Sequence, residues 1–355
     1  MEYAADERRM LPHGARQLPC TRVNSYNLDI RIRGDVLNNR VRKQAFIALL
    51  DDVRRKIRAV GKDPFGDRQS ASLGKKAIGE WLTSGNNEAA AVIHAAIEEF
   101  AEELARIVTG FLRHGRWKGV ERIVIGGGFR QGPVGELTVA RAGIMLKSQK
   151  IDVGIVPIHH HPDEAGLIGA VHLLPPWMLK GHDGLLAVDI GGTNIRAGVI
   201  LFNARKAEDF SKASVWKSSV WRHADEKPSR TATVKKLAET LQSLRKRAEK
   251  AKLTLVPIIC VGCPGVIQAD GTIARGGSNL PGGNWEGDSF NLPRQLADSL
   301  GEASTGGTIL MHNDAVVQGL SEVPRMKDVK RWGVLTIGTG LGNACYENQQ
   351  SPDRS

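Results

Sequence analysis

The stretch Leu185-Leu186-Ala187-Val188-Asp189-Ile190-Gly191-Gly192-Thr193-Asn194-Ile195-Arg196-Ala197-Gly198-Val199-Ile200 decides how this chain is read. An apolar run, a Gly-Gly turn and a second apolar run predict a β-hairpin. The turn carries a carboxylate, two glycines, a hydroxyl, an amide and a guanidinium. Glycine lets a backbone approach a ligand closely, because no Cβ stands between them. The N–H groups of such a turn make an anion nest, which suits phosphate. Asp189, ending a buried strand, suits a hydrated Mg²⁺, an ion that keeps most of its waters and needs few protein ligands. Taken alone, these residues serve an ordinary Gly-rich hairpin with a satisfied Asp equally well, since short glycine motifs recur by chance.

Composition narrows the classes. At 355 residues the chain is long enough for two domains, and 41% hydrophobic residues supply a full core. The 49 basic against 38 acidic residues give a net charge of +11, which favours anionic ligands. Aromatic residues are only 5%, too few for a base-stacking surface, so the basic excess is read as solubility and anion attraction rather than nucleic-acid binding. Cys20, Cys260, Cys263 and Cys345 do not form a disulfide framework and fit a reducing compartment. The N-terminus lacks the apolar core of a signal peptide, and no apolar run approaches the ~18 residues that span a bilayer. A cytoplasmic protein without a membrane partner is expected.

On either side of the hairpin the pattern alternates between strands and helices, which argues an α/β architecture. Residues 1–22 read as a polar, loosely ordered segment, followed by a strand over 27–33. Helices are predicted over about 41–60 and 88–112, with 61–70 as a surface loop between them. In the second helix Ile93, Ile97, Phe100, Leu104 and Val108 form an apolar stripe, and Glu98, Glu99, Glu102 and Glu103 form the wet face. Arg122 to Phe129 reads as a short buried strand ending in Gly126-Gly127-Gly128. A helix (135–149) and a second buried strand (153–159) follow, then a small-residue helix that Asp163 is suited to cap. His159, His160 and His161 sit at a strand end, where successive side chains point to opposite faces and cannot converge on one ion. Pro175 to Gly184 is the clearest joint in the chain. Beyond the hairpin come a basic amphipathic helix (231–251) and a buried strand (253–261) leading to Gly262-Cys263-Pro264-Gly265. A strand then ends in Asn313-Asp314, another ends in Gly338-Thr339-Gly340, and the last ten residues read as a polar tail.

Together the Asp189 hairpin, the Asn313-Asp314 strand end and the two other glycine turns supply what phosphoryl transfer asks for, which is mainly positioning and charge stabilisation. This set resembles the sugar kinases of the ROK family (repressors, open reading frames and kinases), within the actin-like ATPase superfamily. Asp189 to Asn194 is similar to the family's first phosphate motif and Thr336 to Gly342 to its second. Cys263-Pro264-Gly265-Val266, Asn279-Leu280-Pro281 and Asn313-Asp314-Ala315, followed by Glu322, resemble its sugar-side segments. Gly126-Gly127-Gly128 and Ala165 to Ala170 resemble its adenosine region and closing helix. The resemblance covers most of residues 85 to 345.

The resemblance implies an α/β, two-lobed actin-like ATPase (ribonuclease H-like) fold, here with permuted chain order. In the family the adenosine region and closing helix come after the second phosphate motif, whereas here they precede the first. A circular permutation, cut after the Gly338–Gly342 turn and joined at the Pro175–Gly184 joint, accounts for that order. The implied organisation is a larger lobe from 23–164 and 329–346 and a smaller lobe from 165–328. ATP and Mg²⁺ would bind in the cleft between them, beside a hexose or N-acetylhexosamine. Asp314 would be the catalytic base, and Asp189 would hold Mg²⁺ through water. Gly191, Gly192, Thr193, Asn194, Arg196, Gly338, Thr339 and Gly340 would hold phosphate, and Gly126, Gly127 and Gly128 would face the adenosine. Gly265, Asn279, Asn313 and Glu322 would hold the sugar with Asp314. For Asp314 the residues alone also permit a helix N-cap.

Two family features have no counterpart. One is the Cys-rich zinc segment, so no structural zinc is expected. The other is the Gly-Glu-x-Gly-His segment that helps grip the sugar. The alternatives to an ATP-dependent kinase are a non-catalytic sugar- or nucleotide-binding regulator of the ROK type and a polyphosphate-dependent sugar kinase. The sugar and the oligomeric state stay open, with a homodimer among the options.

Overall fold

In the structure, a computed structural model describing residues 11–32, 34–301 and 308–349, the hairpin lies at the centre of one of two compact units. Within those described residues, unit 1 is drawn from Met1–Asn27, Asp163–Asp328 and Glu347–Ser355, and unit 2 from Leu28–Pro162 and Val329–Tyr346. The chain begins with β1 (Thr21–Tyr26), β2 (Arg31–Ile32), β3 (Asp35–Val36), α1 (Lys43–Arg58), α2 (Lys75–Trp81) and α3 (Asn87–Arg113). It continues through β4 (Arg122–Gly126), α4 (Pro133–Ser148), β5 (Gly154–Pro157), α5 (Pro162–Gly169) and α6 (Pro176–Leu179). Next come β6 (Gly184–Ile190), β7 (Ile195–Leu201), β8 (Ser214–Trp221), α7 (His223–Glu226), α8 (Arg230–Lys250) and β9 (Leu255–Cys263). The last part holds β10 (Val266–Ile267), β11 (Ile273–Arg275), α9 (Leu292–Leu300), β12 (Thr308–Asn313), α10 (Asp314–Leu320), β13 (Arg331–Ile337) and β14 (Leu341–Asn348).

Unit 1 is built on a five-stranded sheet in the order β12-β9-β6-β7-β8. Strands β6, β7 and β8 form an antiparallel meander, β9 runs parallel to β6, and β12 runs parallel to β9. All seven residues of β6 are buried, as a continuous apolar run in the middle of a sheet requires. Helix α8 links β8 to β9. Ser229 caps it by accepting the Ala232 N–H, and Val234, Leu237, Leu241 and Leu244 pack into the core that β6 and β7 share. The meander, the linking helix and two further parallel strands make the plan of a ribonuclease H-like lobe, the building block of the actin-like ATPase fold.

The second five-stranded sheet runs β1-β14-β13-β4-β5. Strands β13, β4 and β5 are parallel, and the 338–340 turn joins β13 to β14. Helix α3 is the main support of unit 2. Asn86 caps it through the Ala89 N–H, and Ile93, Ile97, Phe100, Leu104 and Val108 are all buried. Glu98, Glu99, Glu102 and Glu103 lie on its wetter side. No helix among the described residues is long and apolar enough to cross a membrane.

Several expectations change. Residues 11–22 are tied down: Gly14 N–H donates to Met311 O at 2.9 Å, His13 Nδ1 accepts from Met311 N at 3.0 Å, and Leu18 is buried. They line the free edge of β12, whose backbone groups need partners. Residues 1–10 lie outside the described residues. The strand expected over 27–33 shrinks to β2 (Arg31–Ile32), and an unexpected strand, β1, precedes it over Thr21–Tyr26, ending where Asn27 adopts φ +49° and breaks the extended run. The inward positions of β1 are Thr21, Val23 and Ser25, which a search for alternating apolar residues passes over. The 61–70 loop is exposed over residues 66–69, as expected, and is anchored from beneath. Fully buried Arg54 pairs with Asp63 at 2.9 Å and donates to Ser70 Oγ and to the carbonyls of Gly66 and Arg68. Strand β5 is an edge strand and only partly buried. The expected polar tail begins inside β14, where Tyr346 is fully buried and stacks on Trp332.

Candidate functional site

Strand register sets the site in unit 1. Asp189 on β6 pairs with Gly262 on β9, and Gly262 pairs with His312 on β12, so three parallel strands end side by side. The crevice beyond the carboxyl ends of such strands is where open α/β sheets bind ligands. Asp189 leaves one strand end there, and Asp314 begins α10 directly after another.

Asp189 is only 6% exposed, and Arg196, its partner across the hairpin, donates from Nη1 to its Oδ2 at 3.1 Å. The same guanidinium donates from Nε and Nη2 to Asp163 Oδ1 at 2.9 and 2.6 Å. Arg196 therefore bridges two carboxylates, and Asp163, expected as a helix cap, instead ties the first turn of α5 to the hairpin. Gly166 explains how α5 lies so close: a Cβ there would stand 2.7 Å from Asp189 Cγ. Gly169, one turn on, lies against α10, where a Cβ would meet Val317 O at 1.8 Å. Burial pushes the Asp189 carboxyl upward in pKa, against the pull of Arg196.

Asp314 is not the N-cap of α10. Asn313 is, its Oδ1 accepting the Val316 N–H at 3.2 Å, while its Nδ2 donates to Gly265 O at 2.9 Å. Asn313 thus fixes the strand end and the 262–265 loop, while the Asp314 carboxylate accepts from the Ala315 backbone and the Asn313 side chain, which pull its pKa down. Burial, reinforced by the Asp189 charge, raises Asp314 to about 7. The Cys263 thiol feels both carboxylates and is pushed well above its ordinary value, burial acting first. Gly265 adopts φ +104° with Arg275 O 2.6 Å from its would-be Cβ, so the β10–β11 hairpin itself demands this glycine. Glu322 is buried in the turn after α10, and Asn279 is exposed in the loop between β11 and α9.

The hairpin turn holds a partner that the sequence did not announce. Buried His223, at the start of α7, meets Gly191 O through Nε2 at 2.8 Å, and Ala224 N–H donates to Thr193 O at 3.3 Å. The one available signal was register, since Trp221 pairs with Ile195, the first residue after the turn.

In unit 2 the glycines divide by role. Gly127 has φ +82°, and its would-be Cβ falls 2.4 Å from Ile337 O, so the close approach of the β13 backbone itself requires glycine at this position. Gly338 N–H donates to Gly340 O at 2.9 Å, and Gly338 O accepts from Lys43 N at the start of α1. A Cβ on Gly340 would meet nothing within 4 Å, and one on Gly338 only Gly340 O at 3.9 Å. Neither takes a positive φ, so no internal packing requires glycine in this turn.

The donors suit Mg²⁺. Asp163, Asp189 and Asp314 offer hard oxygen ligands with an excess of negative charge over the single guanidinium, the chemistry that ion prefers. Among the described residues, no group of three or more His, Cys, Asp or Glu side chains could hold a metal ion by itself, so the protein's share would be one or two carboxylates beside water and phosphate oxygens.

Residues 185–351 match the model of the ROK family. The matched stretch is a little under half of the chain. The match begins one residue into β6 and runs past β14, so β4 and α5 lie before it. Among solved structures, the chain is similar to a hexokinase from Schistosoma mansoni complexed with glucose (16% identity, 52% of this chain and 50% of that chain, TM-score 0.32). It is also similar to an exopolyphosphatase from Cytophaga hutchinsonii (19% identity, 54% and 55% covered, TM-score 0.23). The chain spans about half the length of these structures. No curated protein matches it.

Proposed function

We propose that the chain transfers the γ-phosphoryl group of ATP, with Mg²⁺, to a hydroxyl of a hexose or N-acetylhexosamine. One observation carries this reading. On either side of β9, the ends of two parallel strands present two carboxylates, one braced by a guanidinium and the other raised to about 7, with no cation of the described residues among the groups that shift it. A base with a pKa of about 7 is matched to taking a proton from an alcohol at working pH.

Asp314 accepts the proton of the attacking hydroxyl as its oxygen bonds to the γ-phosphorus and the β–γ bridge breaks to release ADP. The rigid end of β12 and the Asn313 cap hold that carboxylate in place. Asp189, through water, is the residue assigned to the metal, and Arg196 limits the charge left there. Bound Mg²⁺ would supply charge neutralisation on the transferring phosphoryl group. The 191–194 turn is assigned to phosphate. In unit 2, the 338–340 turn is assigned to phosphate as well, on its open glycines. Gly265 and Asn313 shape the sugar side rather than contact it.

We also propose a permuted chain order. The unit 1 sheet uses its strands in the spatial order third, second, first, fourth, fifth. The second sheet has the same plan if β13 and β14 count as first and second and β1 as third.

The test is transfer from ATP·Mg²⁺ to a panel of hexoses and N-acetylhexosamines, with inorganic polyphosphate as a second donor and Asp314→Asn as control. Transfer to one sugar, reduced by about 10²- to 10⁴-fold in the variant, is the expected result. Sugar binding without transfer from either donor would replace the kinase reading with a regulator.

A further inference from the structure

A two-residue hairpin turn closes with a hydrogen bond from the last N–H to the first C=O. In the 191–194 turn that bond is missing. Gly191 N–H donates to Asn194 O at 2.9 Å, but the Gly191 carbonyl is held by His223 Nε2 at 2.8 Å instead of by Asn194 N–H. Among the described residues, neither Gly192 N–H nor Asn194 N–H has a protein partner. Peptide planarity adds a direction: in a trans peptide the C=O and the following N–H point opposite ways. Holding the Gly191 carbonyl on a buried imidazole therefore turns Gly192 N–H away from it.

His223 does not hang freely. Trp221 packs edge-on to it at 6.1 Å between ring centroids, and Trp221 Nε1 donates to Glu226 at 2.9 Å. Lys236 on α8 sits 4.0 Å over the Trp221 ring and donates to Glu226 at 3.0 Å. Ala224 N–H holds the next carbonyl of the turn, that of Thr193, at 3.3 Å. The turn's carbonyls are thus drawn to one side by an anchored segment.

We propose that His223 is a positioning residue that keeps the turn unclosed, so that the Gly192 and Asn194 amides are presented as a pair of donors to an anionic phosphate oxygen. The proposal rests on the phosphate assignment of this turn. Paired backbone N–H groups with no internal acceptor make an anion nest, and a donor bonded internally would be lost to it. Because the acceptor is a carbonyl, Nε2 carries the proton, and any side chain placing an N–H at that point would do the same work.

That requirement makes the test specific. Glutamine carries an N–H donor at a reach similar to Nε2, whereas phenylalanine fills the ring space without one. Binding of Mg²⁺·AMP-PNP is measured by calorimetry on the full chain for wild type, His223→Phe and His223→Gln, beside hydrogen exchange of the Gly192 and Asn194 amides without ligand. The expected result is binding weakened about ten-fold in His223→Phe and restored in His223→Gln. Asn194 exchange should slow in His223→Phe alone as the turn closes. Equal binding by all three proteins, or loss in both variants, overturns the proposal, as does unchanged Asn194 exchange in a folded His223→Phe. Failure of the wild type to bind AMP-PNP overturns the phosphate assignment itself, a separate result.

Discussion

Asp314 carries the sharpest consequence at the residue scale. Its carboxyl is raised from 3.8 to about 7 in the folded chain, so the native state binds that proton more tightly than the unfolded state. Between about pH 4 and pH 7 the folded protein holds more protons, and its stability falls as pH rises. Above pH 7 the full cost of burying the charge is present, and below about pH 4 it is absent. Asp314→Asn removes this cost and should stabilise the protein at pH 8 by on the order of 2 kcal/mol, with no gain at pH 4. Urea unfolding at the two pH values checks it, and equal gains at both would contradict it. The apolar-Gly-Gly-Thr pattern around Asp189 was legible because hairpin and turn chemistry are local. The Asn313 cap, the Asp163–Arg196 bridge and His223 were not, because each joins residues from separate elements that only register brings together.

At the scale of elements, the glycine turns separate what the fold needs from what a ligand needs. Gly127→Ala places a Cβ 2.4 Å from Ile337 O at φ +82°, and it should cost about 2–3 kcal/mol or prevent folding. Gly340→Ala meets nothing within 4 Å and needs no unusual φ, so its melting temperature should match the wild type. If the turn holds phosphate, nucleotide binding should nevertheless weaken in Gly340→Ala. A thermal melt and a nucleotide titration on the pair separate the two roles, and a destabilised Gly340→Ala would contradict this division. Long amphipathic helices such as α3 were legible in the sequence within a residue or two at each end, since their apolar stripe repeats over many turns. Strand β1 was hidden because its inward positions include Thr21 and Ser25, and α2 because seven residues are too few to show a period.

For the whole molecule, the claim to test is chain order. Gln349 Nε2 donates to Leu18 O at 2.8 Å and Thr21 Oγ1 donates to Glu347 O at 2.9 Å, so the described ends of the chain lie together in unit 1. The 180–183 segment is largely exposed, with Gly181 at φ +79°. A chain with Ser355 joined to Met1 and opened between Lys180 and Gly181 should fold, with a melting temperature within a few degrees of the parent, because exposed segments tolerate such cuts. Aggregation or loss of the cooperative transition would contradict the permuted reading. The matching strand orders of the two sheets needed the structure, because β14 and β1 stand at opposite ends of the chain.

The central claim is that Asp314, unprotonated, takes the proton of a sugar hydroxyl. The direct measurement is the pH profile of kcat/KM for phosphoryl transfer from ATP·Mg²⁺ to the accepted sugar, taken from pH 5.5 to 8.5. The predicted profile rises with pH and levels off near the Asp314 value of about 7, and this limb disappears in Asp314→Asn. Transfer that is flat across that range, or that keeps the same rising limb in Asp314→Asn, would contradict it.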